Sequence, residues 1–155
     1  MAVQRAYPYN QFNFQVKFSS TEAAFQEVSG LGMEVHVAEY RSGNSKLNAP
    51  IKVTGLTKFA DVTFKRGVIG DPSTLYKNRI ANVSNLGAGN GPAGSSTGGE
   101  TITVNLMDES NQNIVQTWIL SNARAIKLTG PAFNGKGTDV AIEEAVFLVE
   151  EVTQS

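Results

Sequence analysis

The chain has no cysteine. That excludes a disulfide framework, a thiolate metal site and a cysteine nucleophile. It has one histidine, His36. A serine triad or a histidine-centred acid–base pair would depend on that residue alone, and no spacing supplies the further ligands a metal would need. Long apolar runs are also missing. The longest clean one is AVFLV, Ala145 to Val149, far short of the roughly 20 residues of a membrane span, so no membrane anchor is expected. The opening MAVQRAYPYNQFNFQ lacks an apolar core of the secretory kind and reads as the start of a protein made in the cytoplasm. Charge is scarce too. Charged residues make up 17% of the 155, against about 25% in ordinary domains. The net charge of −1 and pI near 5.8 point to neither nucleic acid nor anionic membrane as a partner. Asn, Gln, Ser, Thr and Gly fill the gap. A surface this poor in charge belongs either to a bland monomer or to a chain much of whose surface meets protein.

What is present is mostly strand. The length fits one domain with a real core. FNFQVKF places Phe12, Phe14, Val16 and Phe18 on one face, the period-two signal of a half-buried strand. FQEV and EVHVAEY follow, separated by Gly30 and Gly32. In the second, Val35 and Val37 read as core-facing, while Glu34, His36, Ala38 and Tyr40 form an unusual opposite face. Arg41 to Leu56 is polar, with Gly43, Pro50 and Gly55, and reads as a long loop or arm. DVTFKR is a strand with Val62 and Phe64 inward. A helix over about 71–83 is predicted from the cap Asp71, Pro72 in the first turn and a stripe of Tyr76, Ile80 and Val83. The glycine-rich run 86–100 reads as a mobile loop. TITVNLM, burying Ile102, Val104 and Leu106, then IVQTWIL and RAIKL are further strands. DVAIEEAVFLVEEV mixes helix-favouring Glu and Ala with valines and is read as strand. The sum is a mainly β chain: an antiparallel β-sandwich or partial barrel with one flanking α-helix.

Chemical motifs are near misses. GPAFNGKG, Gly130 to Gly137, has the glycines and lysine of a phosphate loop, but Gly137 stands where the magnesium-binding hydroxyl belongs and a strand follows. A glycine turn between strands explains it. GAGNG, Gly87 to Gly91, follows no strand. The pairs Asp108–Glu109, Glu143–Glu144 and Glu150–Glu151 are adjacent, so on strands their members point to opposite faces and read as surface charges. No catalytic residue, cofactor or metal is expected.

Three stretches together resemble a known family. FQEVSGLGMEVHVAEYRSGN, GLTKFADVTFKRGV and WILSNARAIKLTGPAFNGKGTDVAIEEAVFLVEEV are similar, in order and spacing, to the tail-tube proteins of contractile phages and phage-tail-like injection systems, which are related to type VI secretion ring proteins. The motif residues include Gly30, Leu31, Glu39, Tyr40, Arg41, Lys58, Lys65, Arg66 and Gly67, with Trp118 and Asn122 in the late hairpin. The chain departs from the family in Thr54-Gly55, in Tyr76-Lys77-Asn78 and in a longer glycine-rich insert.

The resemblance implies a structural subunit, not an enzyme. Its rings would be hexameric and would stack into a hollow tube, with strands of neighbours joined into one barrel lining the lumen. The partners implied are other copies of the chain, a sheath, baseplate or hub proteins, a tail terminator and possible lumen cargo. On this view Glu34 and His36 look into the lumen or a ring interface. Arg41 to Leu56, with Ser42, Asn44, Lys46, Asn48 and Lys52, is a candidate arm to the next ring. A tube initiator or baseplate-hub protein of the same fold is the alternative, and a monomeric β-sandwich binding module is a more distant one.

Overall fold

The computed structural model describes residues 7–18, 21–68 and 99–155; the helix expected over 71–83 lies outside them. The elements in chain order are β1 (Phe14–Phe18), β2 (Thr21–Ala23), β3 (Glu27–Ser29), β4 (Met33–Tyr40), β5 (Ile51–Phe59), β6 (Val62–Gly67), β7 (Glu100–Met107), β8 (Ile114–Thr129), β9 (Ile142–Leu148) and β10 (Glu151–Gln154). Every pairing among them is antiparallel. Eight strands form one sheet in the order β2-β1-β7-β8-β9-β6-β3, with β10 on β8, and β4 and β5 form a separate hairpin.

The sheet folds over on itself. Phe18 on β1 lies three strands away from Phe147 on β9, yet their rings sit 5.8 Å apart, and Phe18 and Phe64 sit 5.6 Å apart. Phe64 and Phe147 meet edge to face at 5.3 Å and 89°, and Phe25 closes the cluster at 5.5 Å from Phe18 and 5.3 Å from Phe64. Such pairs add about 0.5–1.5 kcal/mol each beyond the area they bury. Val16, Val62, Ile102, Val104, Leu120 and Val149 fill the rest of the core. Alternation predicted Val62 and Phe64 inward, and they are 0% and 1% exposed.

β8 makes the fold possible. Its first half pairs with β7 and β10, its second half with β9, so IVQTWIL and RAIKL are one strand of 16 residues rather than two. At the changeover Asn122 takes φ 53°, a left-handed conformation Asn tolerates better than most residues. The β7–β8 register slips there, between Glu100 and Ile102, so β8 bends where a bulge would bend it. Gly99 lies so close to Asn122 that a Cβ would collide with its side chain.

Several expectations change. Phe12 lies outside β1 and is exposed. Glu100, expected in the glycine-rich loop, starts β7. A second register slip between Leu106 and Met107 leaves Leu106 half-buried and turns Met107 inward. Asn105 is also buried; it accepts a hydrogen bond from Thr117 Oγ1 at 3.0 Å and donates through Nδ2 to Gln15 at 3.5 Å. Glu143 is not a surface charge. It lies on the same face of β9 as Phe147, is buried, and pairs with Arg66 directly opposite on β6. Its neighbour Glu144 points out toward Lys65, at 3.9 Å, and Lys65 also reaches Glu27 at 3.8 Å.

Candidate assembly site

The hairpin β4–β5 is the element that the core does not use. Every residue of β4 is exposed, and every residue of β5 except half-buried Phe59. The expectation that Val35 and Val37 face the core is therefore overturned: they are 39% and 54% exposed. Alternation correctly separates two faces, but both lie outside the subunit. The arm expected over 41–56 is also half strand, since β5 begins at Ile51.

Chemistry at the hairpin's root lets it leave the body. Gly30 has φ 91°, and a Cβ there would run into the carbonyl of Asp61; only glycine takes both the conformation and the close approach without strain. Gly32 N donates to Gly30 O at 2.8 Å, and Ala60 N to Gly32 O at 3.0 Å, tying both ends of the hairpin together. Leu31 packs against the core beside the root. At the tip, residues 41–50 fold on themselves. Arg41 donates through Nε to Leu47 O at 3.2 Å and through Nη2 to Ser45 O at 3.4 Å, and Ser45 N donates to Ser42 O at 3.0 Å.

Cross-strand partners share a face. Met33↔Phe59, Val35↔Thr57, Val37↔Thr54 and Glu39↔Lys52 form one face; Glu34↔Lys58, Ala38↔Val53 and Tyr40↔Ile51 form the other. Between Val35 and Val37 the register slips, leaving Gly55 and Leu56 against His36. A Cβ on Gly55 would sit 3.2 Å from His36 O. Leu56 is 83% exposed. Met33 and Phe59, at the root of the first face, line a cleft of about 280 Å³ together with Leu31, Trp118, Val152 and Gln154. On the second face Glu34 and Lys58 line another root cleft, of about 340 Å³, with Ala60 and Asp61, so beyond the root neither face is covered by the body.

The motif residues fall into two groups. Gly30, Leu31, Glu39, Tyr40, Arg41 and Lys58 build the hairpin's root, edge and tip. Lys65, Arg66, Gly67, Trp118 and Asn122 hold the body: the first two carry the ion pairs already described, Gly67 pairs with Ile142, Trp118 packs on the core and Asn122 makes the β8 corner. Of the candidate arm residues, Ser42, Asn44, Lys46 and Asn48 lie in the tip and Lys52 on β5. Sequence reasoning missed Asp108, which organises the β7–β8 turn. Its carboxylate accepts from Asn113 Nδ2 at 2.8 Å, Ser110 Oγ at 2.7 Å and Gln112 N at 3.2 Å. The Asn113 and Ser110 side chains hold its pKa well below the usual carboxylate range. The string DESNQN, Asp108 to Asn113, reads as a turn from the sequence, but nothing in it marks Asp108 as the residue the turn is built around.

Other surfaces offer little chemistry. A cleft of about 840 Å³ opens between β3 and the β1–β7–β8 side and is lined mainly by apolar groups such as Phe14, Phe25, Val28 and Trp118. Among the described residues no group of His, Asp or Glu side chains is placed to hold a metal, and no helix is long and apolar enough to cross a membrane. Gly130 to Gly137 is a turn between β8 and β9, with Lys136 N donating to Asn134 Oδ1 at 3.1 Å and Gly137 N to Asn134 O at 3.0 Å.

A folded-over antiparallel sheet that projects a two-stranded hairpin free on both faces defines a class, the β-rich building block. Residues 10–153 match the family of T4-like virus tail tube protein gp19, and the chain belongs to that family. Among solved structures it is similar to a chain of an extracellular contractile injection system, the PVC sheath–tube complex in its extended state, at 25% identity and TM-score 0.80, covering 97% of this chain and 93% of that one. It is similar to a chain of the anti-feeding prophage tube-terminating cap at 24% identity and TM-score 0.80, covering 100% and 94%. Hcp1 from Flavobacterium johnsoniae shares the fold at 10% identity and TM-score 0.53, covering 93% and 95%. Comparison with curated proteins finds no match.

Proposed function

We propose that the chain is the repeating subunit of the inner tube of a contractile tail or tail-like injection particle. The observation that carries this, within a tail-tube family chain, is the hairpin with exposed faces whose two strands pair only with each other among the described residues. An isolated two-stranded sheet is marginal in water, and open edges invite another strand. Eight large apolar side chains stand exposed between Met33 and Leu56, the pattern of a surface meant to be covered. Joining hairpins head to tail around a closed ring uses both edges of every copy. A seam of ~4–6 hydrogen bonds at ~1 kcal/mol each is modest alone and decisive when repeated around a ring and between rings.

In this reading the rings are hexameric and stack into a hollow tube. The face bearing Glu34, His36, Ala38 and Tyr40 lines the lumen: its mixed-sign, polar character suits a wet wall that does not grip cargo, while the opposite face carries Met33, Val35 and Val37. The tip, with Ser42, Asn44, Lys46 and Asn48, reaches the next ring. The sheath covers the outside, baseplate or hub and terminator proteins close the ends, and any cargo travels within. The role is structural and requires no catalysis.

Negative-stain electron microscopy with size-exclusion chromatography tests it. Rings or tubes with a central hole are expected. A monomer at every concentration, with and without a baseplate template, overturns it. Lacking cysteine, the chain also suits labelling: on assembled tubes, Glu34→Cys and His36→Cys should resist a bulky reagent offered from outside, and free labelling removes the lumen assignment. A second reading, favoured by the likeness to the tube-terminating cap, keeps the fold and changes the copy number: a tube initiator or hub ring. It expects single rings that never stack.

A further inference from the structure

The hairpin has different chemistry at its two ends. At the tip, Leu47 is 72% exposed, yet its backbone is engaged inside the tip. Leu47 N donates to Ser45 Oγ at 3.3 Å, and Leu47 O accepts from Ser45 Oγ and from Arg41 Nε, each at 3.2 Å. Those polar groups are turned inward, and the leucine side chain is turned out. Beside the root opens the apolar cleft of about 840 Å³, where Val28, Ser29 and Leu31 meet Phe14, Phe25 and Trp118. Among the described residues the one charged side chain lining it is Glu27, which is exposed. Residues 41–50 carry Arg41 and Lys46 and no acid. β4 has eight residues, so at about 3.3 Å per residue the tip stands roughly 23 Å from the root.

We propose that Leu47 is the knob by which one ring stacks on another, and that its socket is the apolar cleft beside the hairpin root of a second copy of this chain in the next ring. The inference rests on the tube-subunit reading and adds which residue joins the rings and what receives it. Copies repeated along one axis meet through two different patches, not through one self-complementary patch. This chain has such a pair, alike in chemistry, at opposite ends of one hairpin. Docking takes the leucine and the cleft wall out of water together. Glu27 at the rim then faces a tip whose only charges are positive, which favours this partner over an acidic one. The cleft is larger than one leucine and has room for the turn that carries it. Arg41 is a positioning residue in this contact. Its guanidinium holds two carbonyls at once, Leu47 O and, at 3.4 Å, Ser45 O. The tip is therefore shaped before it docks, and docking has little left to order. A lysine in its place would keep the charge and lose the fork.

The test uses the full chain and counts rings and tubes separately, by size-exclusion chromatography and by electron microscopy. Leu47→Ser should leave rings intact and raise the protein concentration needed for tubes about tenfold or more. Leu47→Met, apolar and of similar volume, should restore tubes, and Arg41→Lys should weaken them without loss of rings. The socket is tested by crosslinking, since the chain has no cysteine of its own. Leu47→Cys and Gln26→Cys, on an exposed residue that lines the cleft, are combined in one chain and treated with a short bismaleimide. Assembled tubes should give a ladder of crosslinked copies, and single rings should give none. Tubes from Leu47→Ser at the wild-type concentration overturn the knob, and tubes without the ladder overturn the socket; both leave the tube reading intact. A wild type whose rings never stack overturns the reading beneath, and the knob falls with it.

Discussion

Gly30 shows how much one residue can control. Its positive φ and its closeness to the Asp61 carbonyl set the angle at which the hairpin leaves the sheet. Gly30→Ala should cost about 1–3 kcal/mol in chemical denaturation, from backbone strain and the lost approach. It should also impair assembly more than that loss explains, since the hairpin would leave at another angle; normal rings from a destabilised subunit would disprove the second part. Asp108 acts as locally. Its pKa lies below the value near 3.9 of an unperturbed aspartate, so its contribution to the turn is complete above that pH and is lost as pH falls through the depressed value. A carbon-detected NMR titration should find its midpoint well below 3.9, and Asp108→Asn should remove that pH dependence from the turn. Glu143 is a lesson in parity. Adjacent glutamates do point to opposite faces, and that same rule puts one of them inside, where Arg66 answers it. The sequence pattern held the fact, but nothing marked β9 as a strand covered on one side.

Among the elements, the strands of the body were legible and the hairpin was not. Val62 and Phe64, or Ile102 and Val104, alternate against a core, and alternation needs no more than that. β4 alternates as well, but a period of two separates faces without saying what each meets, so Val35 and Val37 read as buried when the subunit has no core there. The slips opposite His36, at Leu106–Met107 and at Asn122 carry no marker in a single sequence beyond the tolerance of Asn and Gly for unusual backbone. The tip is the element whose loss should be cleanest. The hydrogen bonds of Arg41, Ser45 and Leu47 run within the tip, so deleting Ser45 to Ala49 should leave subunit stability within about 0.5 kcal/mol. If the tip reaches the next ring, single rings should persist while tubes disappear under the microscope. Normal tubes after the deletion would end that assignment.

The whole molecule divides into a packed body and a projecting hairpin, and substitutions should divide with it. Phe64 touches Phe18, Phe25 and Phe147 across the fold, so Phe64→Ala should cost about 3–5 kcal/mol in the isolated subunit. Val37→Thr, on the hairpin, should stay within about 0.5 kcal/mol while weakening assembly; equal effects on stability would erase the division. β8 carries a further consequence. A sandwich of two independent sheets can shear along the layer between them, where little but packing resists sliding. Here 16 consecutive residues run through both halves, so a push along that strand is borne by covalent bonds and by hydrogen-bond ladders loaded side by side. A column of such subunits would meet a sudden thrust as a continuous strut, cranked at Asn122.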